Sequence, residues 1–123
     1  ESVYIPTLKS LMRVPNSVTP EDETAMTELL ACQQGQLRLP AIAGYMRERY
    51  VHGDRWLGAI ERTNVPVTFL WADSDPIAHR DMGQEHLRRA PNAKLVELEG
   101  LGHFLMLEDP DRVAQALRNL LTK

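Results

Sequence analysis

Up to about residue 60, apolar residues recur at helical spacing. Ile5, Leu8, Leu11 and Met12 predict an opening helix. Thr19-Pro20-Glu21-Asp22 is a helix start: a capping hydroxyl, a proline at the first position, then acids at the positive end of the helix dipole. Met26, Leu29 and Leu30 follow on one face, and Gly35 is the expected stop. A third helical run holds Ile42, Tyr45 and Met46 with a polar Arg47-Glu48-Arg49 face, and a short fourth carries Trp56, Leu57 and Ile60.

The pattern changes at Asn64. Val65-Pro66-Val67-Thr68-Phe69-Leu70-Trp71 is a short apolar run without alternation, rich in β-branched and aromatic residues. Such a run predicts a strand covered on both faces, with Pro66 at its start, where a missing N–H does least harm. Asp73-Ser74-Asp75-Pro76 has turn chemistry. His79 to Ala90 predicts a helix with Met82, His86, Leu87 and Ala90 turned inward, ended by Pro91-Asn92. Lys94 to Leu98 predicts a second strand, followed by Gly100-Leu101-Gly102-His103. Asp109-Pro110 opens a last helix with Val113, Leu117, Leu120 and Leu121 on one stripe. The later half therefore reads β-α-β-α, and two strands joined by a crossover helix are expected to be parallel.

Composition adds bounds. A chain of 123 residues makes one ordinary domain. Net charge is −3, with 14 basic and 17 acidic residues mixed along the chain, which gives no electrostatic reason to expect nucleic acid or an anionic membrane as partner. No apolar stretch is long enough to span a bilayer. Glu1-Ser2-Val3-Tyr4 lacks the basic region and apolar run of a signal peptide, and without an initiator Met the chain reads as cut, processed or excerpted. Cys32 is the sole cysteine, so there is no intrachain disulfide framework and no multi-cysteine zinc site. The expectation is a cytoplasmic protein without metal or cofactor.

In open parallel sheets, ligands bind outside the carboxyl ends of the strands. Two loops leave such ends here, Ala72 to Ala78 and Glu99 to Phe104. If the two strands are neighbours, Asp75 and His103 meet at one edge of the sheet. An acid against an imidazole fixes the tautomer and stabilises the imidazolium formed in general-base catalysis. Asp73 competes with Asp75 for that role, and either could be a local turn cap. No two of the four histidines have convincing metal spacing.

The residues around this pair carry a resemblance. Val65-Pro66-Val67, Trp71-Ala72-Asp73-Ser74-Asp75-Pro76-Ile77, Pro91 to Phe104 and Leu107-Glu108-Asp109-Pro110-Asp111-Arg112-Val113 resemble the C-terminal end of an α/β-hydrolase. The resemblance covers Trp56 to Leu121 well and extends less sharply through the helical half, which looks like that family's cap. It implies an α/β fold in which residues 1–55 are a helical cap segment and 56–123 hold the last two strands and helices of the core. By resemblance, Asp75 matches the triad acid, His103 the triad histidine, and Glu108 and Pro110 structural positions at the next helix start. The family usually has Gly where this chain has Ala72, which is tolerable if the turn keeps φ negative. No G-x-S-x-G nucleophile elbow occurs, and no serine follows a strand into a helix. The chain therefore looks like the C-terminal half of a hydrolase, with a small-molecule substrate and either the missing half or a second copy as partner.

Tyr45-Met46-Arg47-Glu48-Arg49-Tyr50 resembles the cap of the epoxide hydrolase and haloalkane dehalogenase branch, whose nucleophile is often Asp. That implies a cap tyrosine donating to an epoxide oxygen, best matched by Tyr45. A tyrosine at helical spacing beside Met46 and Ile42 equally reads as packing, and ester hydrolysis by a serine remains the comparable reading. Trp71, Ile77, Phe104 and Met106 either line an apolar substrate pocket or belong to the core. A second class of function is a nucleophile-less binding or assembly module.

Overall fold

A computed structural model of the chain describes residues 3–122. Among these described residues, seven α-helices and two strands follow one another: α1 (Tyr4–Ser10), α2 (Pro20–Ala31), α3 (Leu39–Ile42), α4 (Tyr45–Glu61), β1 (Val67–Ala72), α5 (Arg80–Arg89), β2 (Ala93–Leu98), α6 (Leu105–Glu108) and α7 (Pro110–Leu121). Short 3-10 turns cover Pro15–Ser17 and Cys32–Arg38.

The predicted start of α2 forms as a capping box. The Thr19 side chain accepts from the Asp22 N–H, and the Asp22 carboxylate accepts from the Thr19 N–H at 3.0 Å. Lys9 pairs with Glu23, joining α1 to α2. The helix stops earlier than Gly35. Its last residue is Ala31, and Gln33 and Gln34 adopt left-handed backbone at φ 49° and 60°. Gly35 serves the turn differently: a Cβ there would lie 2.6 Å from the Leu30 carbonyl oxygen. From Tyr45 on, the third helical run is one helix with the fourth, while Ile42 ends the separate α3. α4 continues through Gly53, where a Cβ would meet nothing, and it crosses the expected division at 55/56 without a break.

β1 and β2 pair in parallel, from Val67 opposite Ala93 to Ala72 opposite Leu98. The two-residue alternation then assigns the faces. Phe69 and Trp71 share a face with Leu95 and Glu97, and α5 covers it. His86 stacks 5.8 Å from the Phe69 ring and 5.9 Å from Trp71, while Arg80 grips Glu97 through two hydrogen bonds of 2.7 and 2.8 Å. Leu70, Ala72 and Leu98 face the other way, where Leu101, Val113 and Ala116 close a small core under α7. Met82, expected inward, is more than a third exposed, because Gly83 and His86 are the α5 residues that meet Trp71. Asp109 caps α7 by accepting from the Arg112 N–H at 3.0 Å.

A second core of Leu8, Met12 and Val18 lies in the N-terminal segment. Phe104 and Leu107 pack on this cluster, whereas Leu105 packs on the one under α7. The stretch just after His103 is thus the seam between the two cores.

Candidate active site

The last rung of the parallel ladder, Ala72 opposite Leu98, sets the position of both loops. Ala72 is buried and keeps a negative φ, so the alanine in place of the usual glycine bends into the acid loop without strain. The Asp73 N–H donates to Leu98 O at 3.3 Å and the Ser74 N–H to Leu101 O at 3.1 Å, which lays the acid loop beside the histidine loop. Asp73 Oδ1 accepts from Ser74 Oγ at 2.9 Å and from the Gly100 N–H at 2.7 Å. Gly100 sits at φ +77°, a conformation that glycine adopts without a Cβ penalty.

Asp75 is 8% exposed. Its Oδ1 accepts from the Ile77 N–H at 2.7 Å and the Ala78 N–H at 2.9 Å, so the Asp-Pro turn folds back on its own carboxylate. His103 Nδ1 lies 2.9 Å from Oδ2 and 3.0 Å from Oδ1 of the same side chain. Burial opposes ionisation of Asp75. The N–H groups of Ile77 and Ala78, and then His103, outweigh it and hold the carboxyl below the usual aspartate range. An ionised carboxylate only accepts hydrogen bonds, so the proton between the two residues belongs to Nδ1. Nε2 is then the basic nitrogen of the ring. A histidine so held, one-third exposed, can take a proton from a nucleophile and return it to a leaving group.

The other residues singled out by sequence fall into different places. Asp73, the competing acid, engages Gly100 and Ser74, while His103 meets Asp75. Phe104 packs edge-on against the His103 ring, with centroids 5.0 Å apart. Ile77 is exposed beside Asp75, to which it gives its backbone N–H. Trp71 turns away toward α5. Its ring rests on Gly83 and its indole N–H donates to Ala78 O at 2.9 Å, so it braces the acid loop from behind. Tyr45 begins α4, 53% exposed, and makes no hydrogen bond or ring contact with Asp75 or His103. Met106 is exposed on α6. Among the described residues, no serine, threonine or cysteine side chain hydrogen-bonds to the His103 ring, and no group of three or more His, Cys, Asp and Glu side chains could hold a metal.

Two features of the site had little or no signal in the sequence. The Ile77 and Ala78 amides follow from an aspartate two and three residues upstream, a pattern that Asx turns make legible. Glu108 showed only as a structural position at a helix start. It is 6% exposed, and its carboxylate accepts from Arg13 N–H at 2.8 Å, Val14 N–H at 3.0 Å and Gly102 N–H at 3.0 Å. Two of these partners are more than ninety positions away.

A buried acid and a histidine thus meet at the carboxyl ends of two parallel strands, where open sheets bind their ligands. Residues 7–116 match the alpha/beta hydrolase family, and the chain belongs to that family. Among curated proteins it is similar to the "Putative hydrolase LipZ" of Mycobacterium tuberculosis, in strains CDC 1551 / Oshkosh and ATCC 25618 / H37Rv. Each is 38% identical over 104 residues, covering 82% of this chain and 35% of the relative. The chain thus spans about a third of the length of the relatives it matches. No solved structure matches it.

Proposed function

We propose that this chain is the C-terminal portion of an α/β-hydrolase and supplies the acid and histidine of a nucleophile–His–acid triad, Asp75 and His103. The observation that carries this reading is the 2.9 Å contact from His103 Nδ1 to Oδ2 of an aspartate whose Oδ1 accepts two backbone amides. In the assembled enzyme, His103 Nε2 deprotonates the nucleophile, or a water in the branch that uses an aspartate nucleophile. Asp75 holds the tautomer and stabilises the imidazolium. The substrate class is a small apolar ester or an epoxide or haloalkane. The exposed Ile77 offers apolar surface beside Asp75, and the Phe104 ring lies edge-on to His103. Tyr45 is carried as the candidate donor to an epoxide oxygen, supplied by the helical segment that resembles a cap.

The test uses the complete hydrolase with p-nitrophenyl butyrate and styrene oxide as probes. His103→Ala abolishes turnover with the fold retained, and Asp75→Asn lowers kcat by about 10⁴-fold. Tyr45→Phe lowers turnover of the epoxide alone. Residues 1–123 by themselves hydrolyse neither probe, since their sequence holds no nucleophile elbow. Full activity of His103→Ala refutes the triad and leaves a binding module as the function of the chain.

A further inference from the structure

We infer that Glu108 is a positioning residue for His103, acting through the Gly102 amide and tying the histidine loop to the segment that follows α1. Every residue from Gly100 to His103 has a backbone group pinned from outside the loop. Gly100 N–H goes to Asp73, Leu101 O receives Ser74 N–H, Gly102 N–H goes to Glu108, and His103 N–H goes to Leu11 O at 3.0 Å. The first two pins come from the acid loop. The other two belong to one staple, because the carboxylate that takes the Gly102 amide also takes those of Arg13 and Val14, immediately after Leu11. All three partners are donors, which suits an ionised carboxylate that only accepts.

The approach is close enough to dictate glycine. A Cβ on Gly102 would lie 2.7 Å from Leu11 O, 2.9 Å from Arg13 N and 2.9 Å from Glu108 Oε1. Two of those three atoms are backbone and cannot swing aside. The loop residue before the histidine is therefore clamped between the N-terminal segment and a buried carboxylate. Glu108 does not touch the ring. What it fixes is the backbone from which the ring extends, and so the direction of Nε2 when Nδ1 meets Asp75. A displacement of about 1 Å in such a group costs about 10²-fold in rate.

Glu108→Gln is nearly isosteric: its one oxygen can still accept from Arg13 and Val14, but its –NH2 then stands where Oε1 accepts from Gly102 N–H, donor against donor. This inference rests on the Asp75–His103 reading, so two readouts are kept apart. The first is the tautomer of His103, followed by ¹⁵N NMR of histidine-labelled protein. The parent holds the proton on Nδ1, and Glu108→Gln spreads it over both nitrogens. The second is turnover of p-nitrophenyl butyrate and styrene oxide by the complete hydrolase. There Glu108→Gln lowers kcat at least tenfold with KM within about twofold, and Glu108→Asp restores part of the loss. Thr19→Ala, which removes the cap of α2, serves as the comparison for lost stability and leaves kcat unchanged. Should the Gln variant not fold, Glu108→Asp carries both readouts, with a smaller shift in the same direction expected. A variant that keeps the parent's single Nδ1–H signature overturns the inference whatever its kcat. Undiminished turnover by His103→Ala overturns the triad reading instead, and the tautomer result still decides the role of Glu108.

Discussion

Asp75 stays ionised despite its burial because its oxygens are filled by groups that favour the charged form: two amides of its own turn and one imidazole. That balance has a pH signature. The folded-state pKa lies below the unfolded one, so the stabilisation is fully present above the ordinary aspartate value of about 3.9 and is lost as pH falls through the depressed value. Urea unfolding of the parent and of Asp75→Asn between pH 6 and 2 should therefore give curves that converge below about pH 4. A stability difference independent of pH over that range would show that folding leaves the pKa of Asp75 unchanged. At the same scale, the sequence made the pair itself legible, since each residue follows a strand end and a short turn. Glu108 reads from sequence only as a structural helix-start position, because its partners at Arg13 and Val14 come from the far end of the chain.

Among the elements, the β-α-β-α portion was read from sequence to within a residue or two of its strand ends. Its signals are local and strong: a β-branched run, an Asp-Pro turn and an Asp-Pro cap. The helices before it were read less well. Gly53 lies on an open face of α4 and carries no steric reason to break it, so two predicted helices fuse. The end of α2 is made by two glutamines in left-handed backbone, a choice with no residue-type signature. α5 offers a sharp test of packing. A Cβ on Gly83 would sit 2.9 Å from Trp71 Cδ2 and 3.1 Å from Cγ, and the ring is anchored by its bond to Ala78 O. Gly83→Ala should cost about 1–3 kcal/mol, the usual cost of overpacking, despite the better helix propensity of alanine. Denaturant unfolding measures it, and a variant as stable as the parent would mean that the indole yields freely.

For the molecule as a whole, the accessible surface is 9240 Å² at 14.0 kDa. A compact monomer of that mass exposes about 6700 Å², so this chain shows more than a third extra. Part of the excess lies along α3 and α4, where Ile42, Tyr45, Met46, Tyr50 and Val51 are all exposed. Among the described residues the sheet has two strands, and the outer edge of β1 is unpaired. Open edges and broad apolar faces both invite association. Residues 1–123 in isolation should sediment as dimers or larger species across the micromolar range. A stable monomer with a single cooperative unfolding transition would contradict this expectation.

Both site loops hang from the Ala72–Leu98 rung, while α5 carries the chain away and returns it through the exposed turn at Pro91-Asn92, at the opposite end of the strands. The covalent path between Asp75 and His103 is therefore long, but the path through the ladder is a single step. A protease that nicked the chain between Pro91 and Asn92 would cut the connection and spare the hydrogen-bonded contact. That turn is accordingly where new termini could be opened in a circular permutant, with the two halves of the site still registered by strand pairing and by the hydrogen bonds between the two loops.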